Sequence, residues 1–359
     1  MASAFPEEII KQVFFSLPVK SLLRFKTVSR QWHQLISSRQ FAEKHHQIQS
    51  QDKKLTIFYG LNDHPNSWTT SSLTNLMYDE DQLHDVQNTS IGLSFIRVPY
   101  DSISVVGSCN GVICLSALLS NEVVLWNPAL RKHRVLPSLG DQCQQYGSYG
   151  FGYDPMEDEY LVVTYVTTVK NGEYWTRAKV YSLRTDSWTS IGHDNGLGDV
   201  YIEESGIFVH EMFHWIGIRM DGTYVVLSLD MMIERYEEIL QPDYGEVVEC
   251  MRLGVWRGDL SIISSSNETE LNVWVMKEYG DCESWTKLFR IPYFHQLSQI
   301  GVPRVCFVME NGDVLLNCGP SLVICKLNNG SMWFHRVLRQ GGIAEFRVAV
   351  YGESLMFPF

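Results

Sequence analysis

The chain has 359 residues, 45% apolar and 19% charged, enough to bury a large core in more than one unit. Its net charge of −12 argues against a broad nucleic-acid surface, and no apolar run reaches the roughly 18 residues of a membrane span. The charge is uneven: residues 1–50 hold seven Lys/Arg against three Asp/Glu, and the other 309 hold 22 against 38, so a basic head precedes an acidic body.

The opening "MASAFPEEIIKQVFFSLP" lacks a basic leader, and Glu7 and Glu8 interrupt its apolar residues, so it does not read as a signal peptide. Eight cysteines (Cys109, Cys114, Cys143, Cys250, Cys282, Cys306, Cys318 and Cys325) show no C-x-x-C pairing and mostly lie in apolar stretches. They read as reduced thiols of a protein of the cytoplasm and/or nucleus, where the sequons at Asn88, Asn267 and Asn329 would carry no glycan.

From Phe5 to Phe41 the pattern is helical. Pro6 suits a first helical position, Glu7 and Glu8 favour the positive helix end, and Ile9, Ile10, Val13 and Phe14 share a face. Pro18 ends this helix and starts a second, and Ser29 caps a third whose Trp32, Leu35 and Ile36 share a face. Sixteen large apolar residues fall within these 37 positions. At roughly 1.5–3 kcal/mol for burying each side chain, leaving half of them wet would forfeit more than ~10 kcal/mol. So short a segment packs either on the rest of the chain or on a partner.

"FPEEIIKQVFFSLPVKSLLRFKTVSRQWHQLISSRQF" resembles an F-box over about 40 residues, most specifically in "LPVKSLLRFK", with Phe5 replacing the usual first leucine. The resemblance implies three helices that complete their core on the Skp adaptor of Skp–cullin–F-box ubiquitin ligases. Position by position, the implied adaptor contacts are Pro6, Ile9, Leu17, Pro18, Val19, Leu22, Leu23, Val28 and Trp32, with Lys20 and Arg24 as rim charges.

After the polar stretch "HHQIQSQDKK" the texture becomes short alternating strands with turn signals. A strand–turn–strand phrase recurs, and aligning Trp126, Tyr181, Ser228, Trp274 and Cys325 gives spacings of 55, 47, 46 and 51. A period near 50 predicts an all-β propeller of six or seven blades. The closing strand "EFRVAVYGESLMF" is expected to pair with an early one such as "LTIFYG", which removes exposed edges. The domain reading is residues 1–46 for the helical module, 47–54 for a linker and 55–359 for the propeller.

"GSCNGVICL", "LWNPALRKHRVLP", "GFGYDPMEDEYLVV", "VYSLRTDSWTSI", "VHEMFHWIG" and "NGDVLL" follow the order seen in the plant F-box-associated domain, often called F-box/kelch-repeat. Unlike true kelch repeats, the chain has only one Gly-Gly pair, Gly341-Gly342. This second resemblance implies a non-catalytic, cofactor-free substrate receptor that meets the Skp-type adaptor and, through it, cullin and RING subunits. It leaves the degraded target open. The alternative is an F-box scaffold or sequestering module outside the ligase. Aromatic-bearing loops around Tyr146, Tyr149, Trp175, Tyr244 and Phe294 are the candidate target-binding positions, with no nucleic acid and no membrane as partner.

Three strings suggest other chemistry. "HEMFH" (210–214) matches the His-Glu-x-x-His zinc-peptidase signature, which needs a helix to bring both histidines to one ion. Its surroundings read as a hairpin, and on a continuous strand the two would stand roughly 13 Å apart. "YGSYGFGYDP" is glycine-rich without a phosphate-binding lysine, and "DPMEDE" reads as a solvated turn rather than a calcium loop.

Overall fold

The computed structural model describes residues 6–49, 55–60, 67–72, 89–92, 103–117, 120–139, 148–170, 173–191, 200–202, 204–231, 234–265, 270–292, 303–309, 311–318, 321–328, 331–339 and 348–357. The head holds four helices where three were expected: α1 (Glu7–Phe15), α2 (Val19–Phe25), α3 (Arg30–Ser37) and α4 (Arg39–Gln49). Extended Pro6 and Pro18 sit immediately before α1 and α2, where a missing N–H costs nothing. The Ser29 Oγ accepts the Trp32 N–H at 3.1 Å and caps α3 as its sequence predicts. The fourth helix, "RQFAEKHHQIQ", buries only Phe41, Ala42 and His45. Two adjacent histidines in a polar run hid that stripe, and α4 continues three residues beyond the expected boundary at 46.

The rest is a ring of antiparallel sheets. In the first sheet, β1 (Leu55–Gly60), β2 (Ser67–Ser72) and β3 (Thr89–Gly92) are joined by β25 (Val348–Gly352), which pairs with β1. Ile57 stands opposite Val350, so the closing strand pairs as the sequence predicts. The second sheet runs β4 (Ile103–Cys109), β5 (Val112–Ala117), β6 (Glu122–Asn127) and β7 (Lys132–Val135). The third runs β8 (Tyr149–Asp154), β9 (Glu159–Lys170), β10 (Glu173–Ser182) and β11 (Ser187–Ile191). In the fourth, β12 (Tyr201–Ile202) and β13 (Ile207–Val209) both pair with β14 (Met212–Ile218), followed by β15 (Tyr224–Asp230) and β16 (Arg235–Ile239).

The fifth sheet has eight strands: β17 (Cys250–Trp256), β18 (Asp259–Ser265), β19 (Glu270–Met276), β20 (Trp285–Pro292), then β24 (Ser331–Arg339), β23 (Ser321–Asn328), β22 (Val314–Cys318) and β21 (Arg304–Val308). Its two four-stranded halves meet at one parallel bridge, Arg290 to Ser331. The expectation of six or seven blades is thereby corrected to five sheets: an outer-edge bridge between two meanders leaves no trace in the spacing of the repeats. The innermost strands β25, β4, β8, β13, β17 and β21 touch in turn, and β21 returns to β25.

Sheet-to-sheet burial supplies the core. Every residue of β5 is buried: Ile113 and Leu115 pack towards Tyr351 of the first sheet, while Val112 and Cys114 pack towards Phe151 and Val162 of the third. Gly150 and Gly152 on β8 sit so close to the fourth sheet that an added Cβ would lie 2.7 Å from Phe213 and 2.4 Å from Phe208. The glycines of "YGFGYD" therefore serve packing. Tryptophans stitch neighbouring sheets: Trp188 Nε1 donates to Pro137 O at 2.7 Å, and Trp285 Nε1 to Leu240 O at 2.9 Å.

The meanders give the ring two ends. Turns between first and second and between third and fourth strands lie at one end. Turns between second and third strands, and the connections to the next sheet, lie at the other. The head sits over the first of these ends.

Candidate functional site

Within the head, Phe14 stacks on Phe25 at 5.6 Å, and Trp32 stands edge-on to both at 5.1 and 5.7 Å. His45 Nε2 bonds Leu17 O at 2.8 Å, and Gln49 Nε2 donates to Phe15 O at 2.9 Å, tying α4 to the other helices. Burial lowers the His45 pKa, so the ring serves as a neutral core group.

This small core is completed by the chain itself. Leu355 and Met356 near the C-terminus enter among Phe14, Val19, Leu22, Ile36, Phe41 and Ala42, with Ala129 and Leu130 from the β6–β7 turn alongside. Asn127, fully buried, donates to Ser354 O at 3.0 Å and Met356 O at 2.6 Å and accepts from the Leu130 N–H at 2.9 Å. Around this plug, His46 Nε2 meets Asn110 Oδ1 at 3.2 Å, and Arg39 forms an ion pair with Asp158. The turn "DPMEDE" thus receives the head: Asp154 Oδ1 accepts from Met156 N and Glu157 N, and Asp158, at φ 54°, faces Arg39.

The predicted adaptor residues consequently split. Val19 and Leu22 are buried in the core that Leu355 and Met356 of the C-terminal plug also enter. Leu17, Leu23 and Trp32 are half-buried in the same core. Pro6, Ile9, Pro18, Lys20, Arg24 and Val28 are exposed. Ile9 and Val28 are 47% and 61% exposed, and Val13, one turn after Ile9 on α1, is 52% exposed. Val13 was not among the predicted contacts, although its i+4 spacing from Ile9 signals the shared face.

Of the predicted target-binding aromatics, Tyr149 is buried between the second and third sheets, because its strand β8 is an inner one. Tyr244 is half-buried, edge-on to Trp274 at 5.7 Å, and its hydroxyl donates to Gln241 Oε1 at 3.1 Å. Trp175 lies on β10, of which the backbone is described at that position, and Tyr146 and Phe294 lie outside the described residues.

"HEMFH" is a hairpin. His210 and Glu211 take left-handed φ values of 52° and 62° in the turn between β13 and β14, and His214 follows, fully buried, on β14. Only His214 is thus on a strand; His210 turns the corner, and the helix that joint coordination needs is missing. His214 Nε2 and the Tyr279 hydroxyl share a 2.7 Å hydrogen bond, and burial, reinforced by His210, depresses the His214 pKa to about 4. Among the described residues no three His, Cys, Asp or Glu side chains converge as metal ligands, and no helix is long and apolar enough to cross a membrane. Of the thiols, burial pushes Cys109 and Cys306 up to about 12, while Cys250 and Cys282 are exposed.

A helical module with outward apolar residues, clamped to one end of a β-propeller, defines the class: an F-box protein with a β-propeller body. The F-box domain model matches residues 3–44, and the F-box associated beta propeller domain model matches residues 68–354. The chain belongs to the family of F-box proteins that carry this propeller domain. The F-box/kelch-repeat protein At3g23880 of Arabidopsis thaliana is 31% identical over 98% of this chain and 95% of its own length. F-box protein At3g07870 of the same plant is 27% identical over 95% of this chain and 92% of its own length. F-box protein CPR1, also from Arabidopsis thaliana, is 27% identical over 80% of this chain and 72% of its own length.

Proposed function

We propose that this protein is the substrate-recognition subunit of a Skp–cullin–F-box ubiquitin ligase in the cytoplasm and/or nucleus. The helical head binds the Skp-type adaptor and, through it, the cullin and RING subunits. The propeller holds a target protein for ubiquitination and proteasomal degradation. The chain makes and breaks no bonds and uses no cofactor; it raises the effective concentration of target lysines at the conjugating enzyme.

One observation carries this reading. The head satisfies its inner apolar face on the propeller yet leaves Ile9, Val13 and Val28 in water, 47%, 52% and 61% exposed. Covering the exposed half of each would contribute about 1 kcal/mol. Pro6, Pro18, Lys20 and Arg24 are exposed with them, so an apolar surface with a charged rim remains for a partner.

Co-expression with a Skp-type adaptor, a cullin and a RING subunit tests the proposal. The expected result is a stable four-protein assembly that transfers ubiquitin to proteins held by the propeller. Adaptor binding without cullin would support the scaffold alternative, and no adaptor binding at all would refute both.

A further inference from the structure

Outside the helical head, seven large apolar side chains are exposed among the described residues, and four of them gather at one end of the fourth sheet. They are Tyr201 (52% exposed), Met220 (89%), Leu240 (65%) and Val247 (81%). Tyr201 pairs with Ile218, immediately before the 219–223 turn that carries Met220. Leu240 and Val247 lie on the connection from β16 to β17. This is the end of the ring opposite the F-box.

These segments are fastened together. Arg219 N donates to Thr223 O at 2.9 Å and closes the turn. Gln241 Nε2 donates to Tyr224 O at 2.7 Å, and the Tyr224 hydroxyl donates to Glu249 O at 3.1 Å, so the connection is laced to the start of β15. Leu240 O accepts from Trp285 Nε1 at 2.9 Å. A partner would meet a platform already in place, with little ordering cost on this side.

The charge of this platform is predominantly negative. Asp221, Glu238, Asp243, Glu246 and Glu249 are all exposed on it. Arg219 is bound to Glu238 at 2.6 Å, and hydrogen bonds from Thr223, with a lesser contribution from Arg219, lower the Asp221 pKa. Two further guanidinium groups at this end, Arg252 and Arg304, are both held on Glu204. Asp243, Glu246 and Glu249 form no ion pair among the described residues.

We propose that this end of the fourth sheet docks a protein segment combining Lys or Arg side chains with apolar ones. The apolar groups would cover Met220, Leu240 and Val247, and the cations would meet the surrounding carboxylates. The assignment deepens the reading of the propeller as the target-holding domain and rests on it. A segment rich in lysine also places ubiquitin acceptors beside its own docking point.

The test pans a displayed library of random 12-residue peptides on the full chain bound to its Skp-type adaptor. Recovered peptides are expected to carry two or more Lys/Arg next to Leu, Ile, Phe or Met, and to protect residues 219–224 and 240–249 from hydrogen exchange. Their affinity should fall at least about tenfold on Met220→Ser with Val247→Ser, and again on Glu246→Lys with Glu249→Lys. Recovery of no peptides or of acidic ones, protection elsewhere, or indifference to both double variants would overturn the proposal. So would a dimer in sedimentation that both double variants dissolve, because that assigns the surface to a second copy. Adaptor binding is measured on the same proteins: its loss counts against the ligase reading, and a change in peptide affinity alone concerns this surface.

Discussion

Asn127, on the third strand of the second sheet, donates a 2.6 Å hydrogen bond to the carbonyl oxygen of Met356, whose side chain lies in the core of the F-box. The same amide serves Ser354 O and Leu130 N, so one buried side chain joins the β6–β7 turn to the C-terminal segment, whose Leu355 and Met356 enter the core of the head. The F-box and the propeller are held as one unit by sequence-distant groups rather than by a linker alone.

Replacing Asn127 with Ala strips a partner from three backbone groups, the buried Ser354 and Met356 carbonyls and the half-buried Leu130 N–H. The expected cost is about 2–4 kcal/mol. Hydrogen exchange should speed up most in α2 and α3, where Leu22 and Ile36 lose the support of Leu355 and Met356. Unchanged exchange in those helices would show that the plug is not what orders them.

Gly111 turns the chain from β4 to β5 at φ 78°, and an added Cβ would lie 2.4 Å from Ser354 Cβ and 2.8 Å from Gly352 O. Gly111→Ala therefore strains the turn and pushes the C-terminal segment out, for about 1–3 kcal/mol in denaturant unfolding. Gly222 has a similar φ of 85° with nothing within 4 Å, so its Ala variant should show the backbone part of the cost alone.

Much of the β-domain was legible because each repeat places the same kind of residue on the same kind of strand. Trp126, Tyr181, Ser228, Trp274 and Cys325, aligned from spacing, all lie on the third strand of a four-stranded meander. Ring closure was legible too, since "RVAVYG" alternates like the strand it completes. The blade number was not, because the Arg290–Ser331 bridge depends on how two outer strands splay. Helix α4 escaped notice because His45 substitutes for an apolar residue only once it is buried and neutral. That Leu355 and Met356 enter the core holding Val19 and Leu22 was not legible, because nothing local in the helical segment shows the far end of the chain returning to it.

His214 sets a pH limit on stability. Its pKa falls from about 6.5 in the unfolded chain to about 4 in the fold, chiefly through burial. The unfolded state therefore binds a proton more readily, and the contribution of neutral His214 is complete above pH ~6.5 and lost as pH falls towards 4. The loss is roughly 3 kcal/mol. In His214→Gln the decline between pH 6.5 and 4 should be smaller by about that amount, read from urea unfolding at each pH. An identical slope in both proteins would contradict the assignment.

Trp285 ties the fifth sheet to the end of β16 through Leu240 O, and Trp188 makes the matching tie to Pro137 O. Trp285→Phe keeps most of the apolar bulk and deletes the donor. It should cost about 1–2 kcal/mol and loosen the 240–249 connection in hydrogen exchange. Trp188→Phe should leave that connection unaffected.

The most direct measurement is the calorimetric affinity of the purified chain for a Skp-type adaptor, comparing Ile9→Asp with Val28→Asp against the parent. Both positions are exposed, so melting temperature should stay within a few degrees. Affinity should fall by at least roughly thirtyfold, the equivalent of about 2 kcal/mol lost from the apolar contact. Retention of parental affinity by the double variant would contradict the claim that these outward residues of α1 and the α2–α3 turn are where the F-box meets its partner.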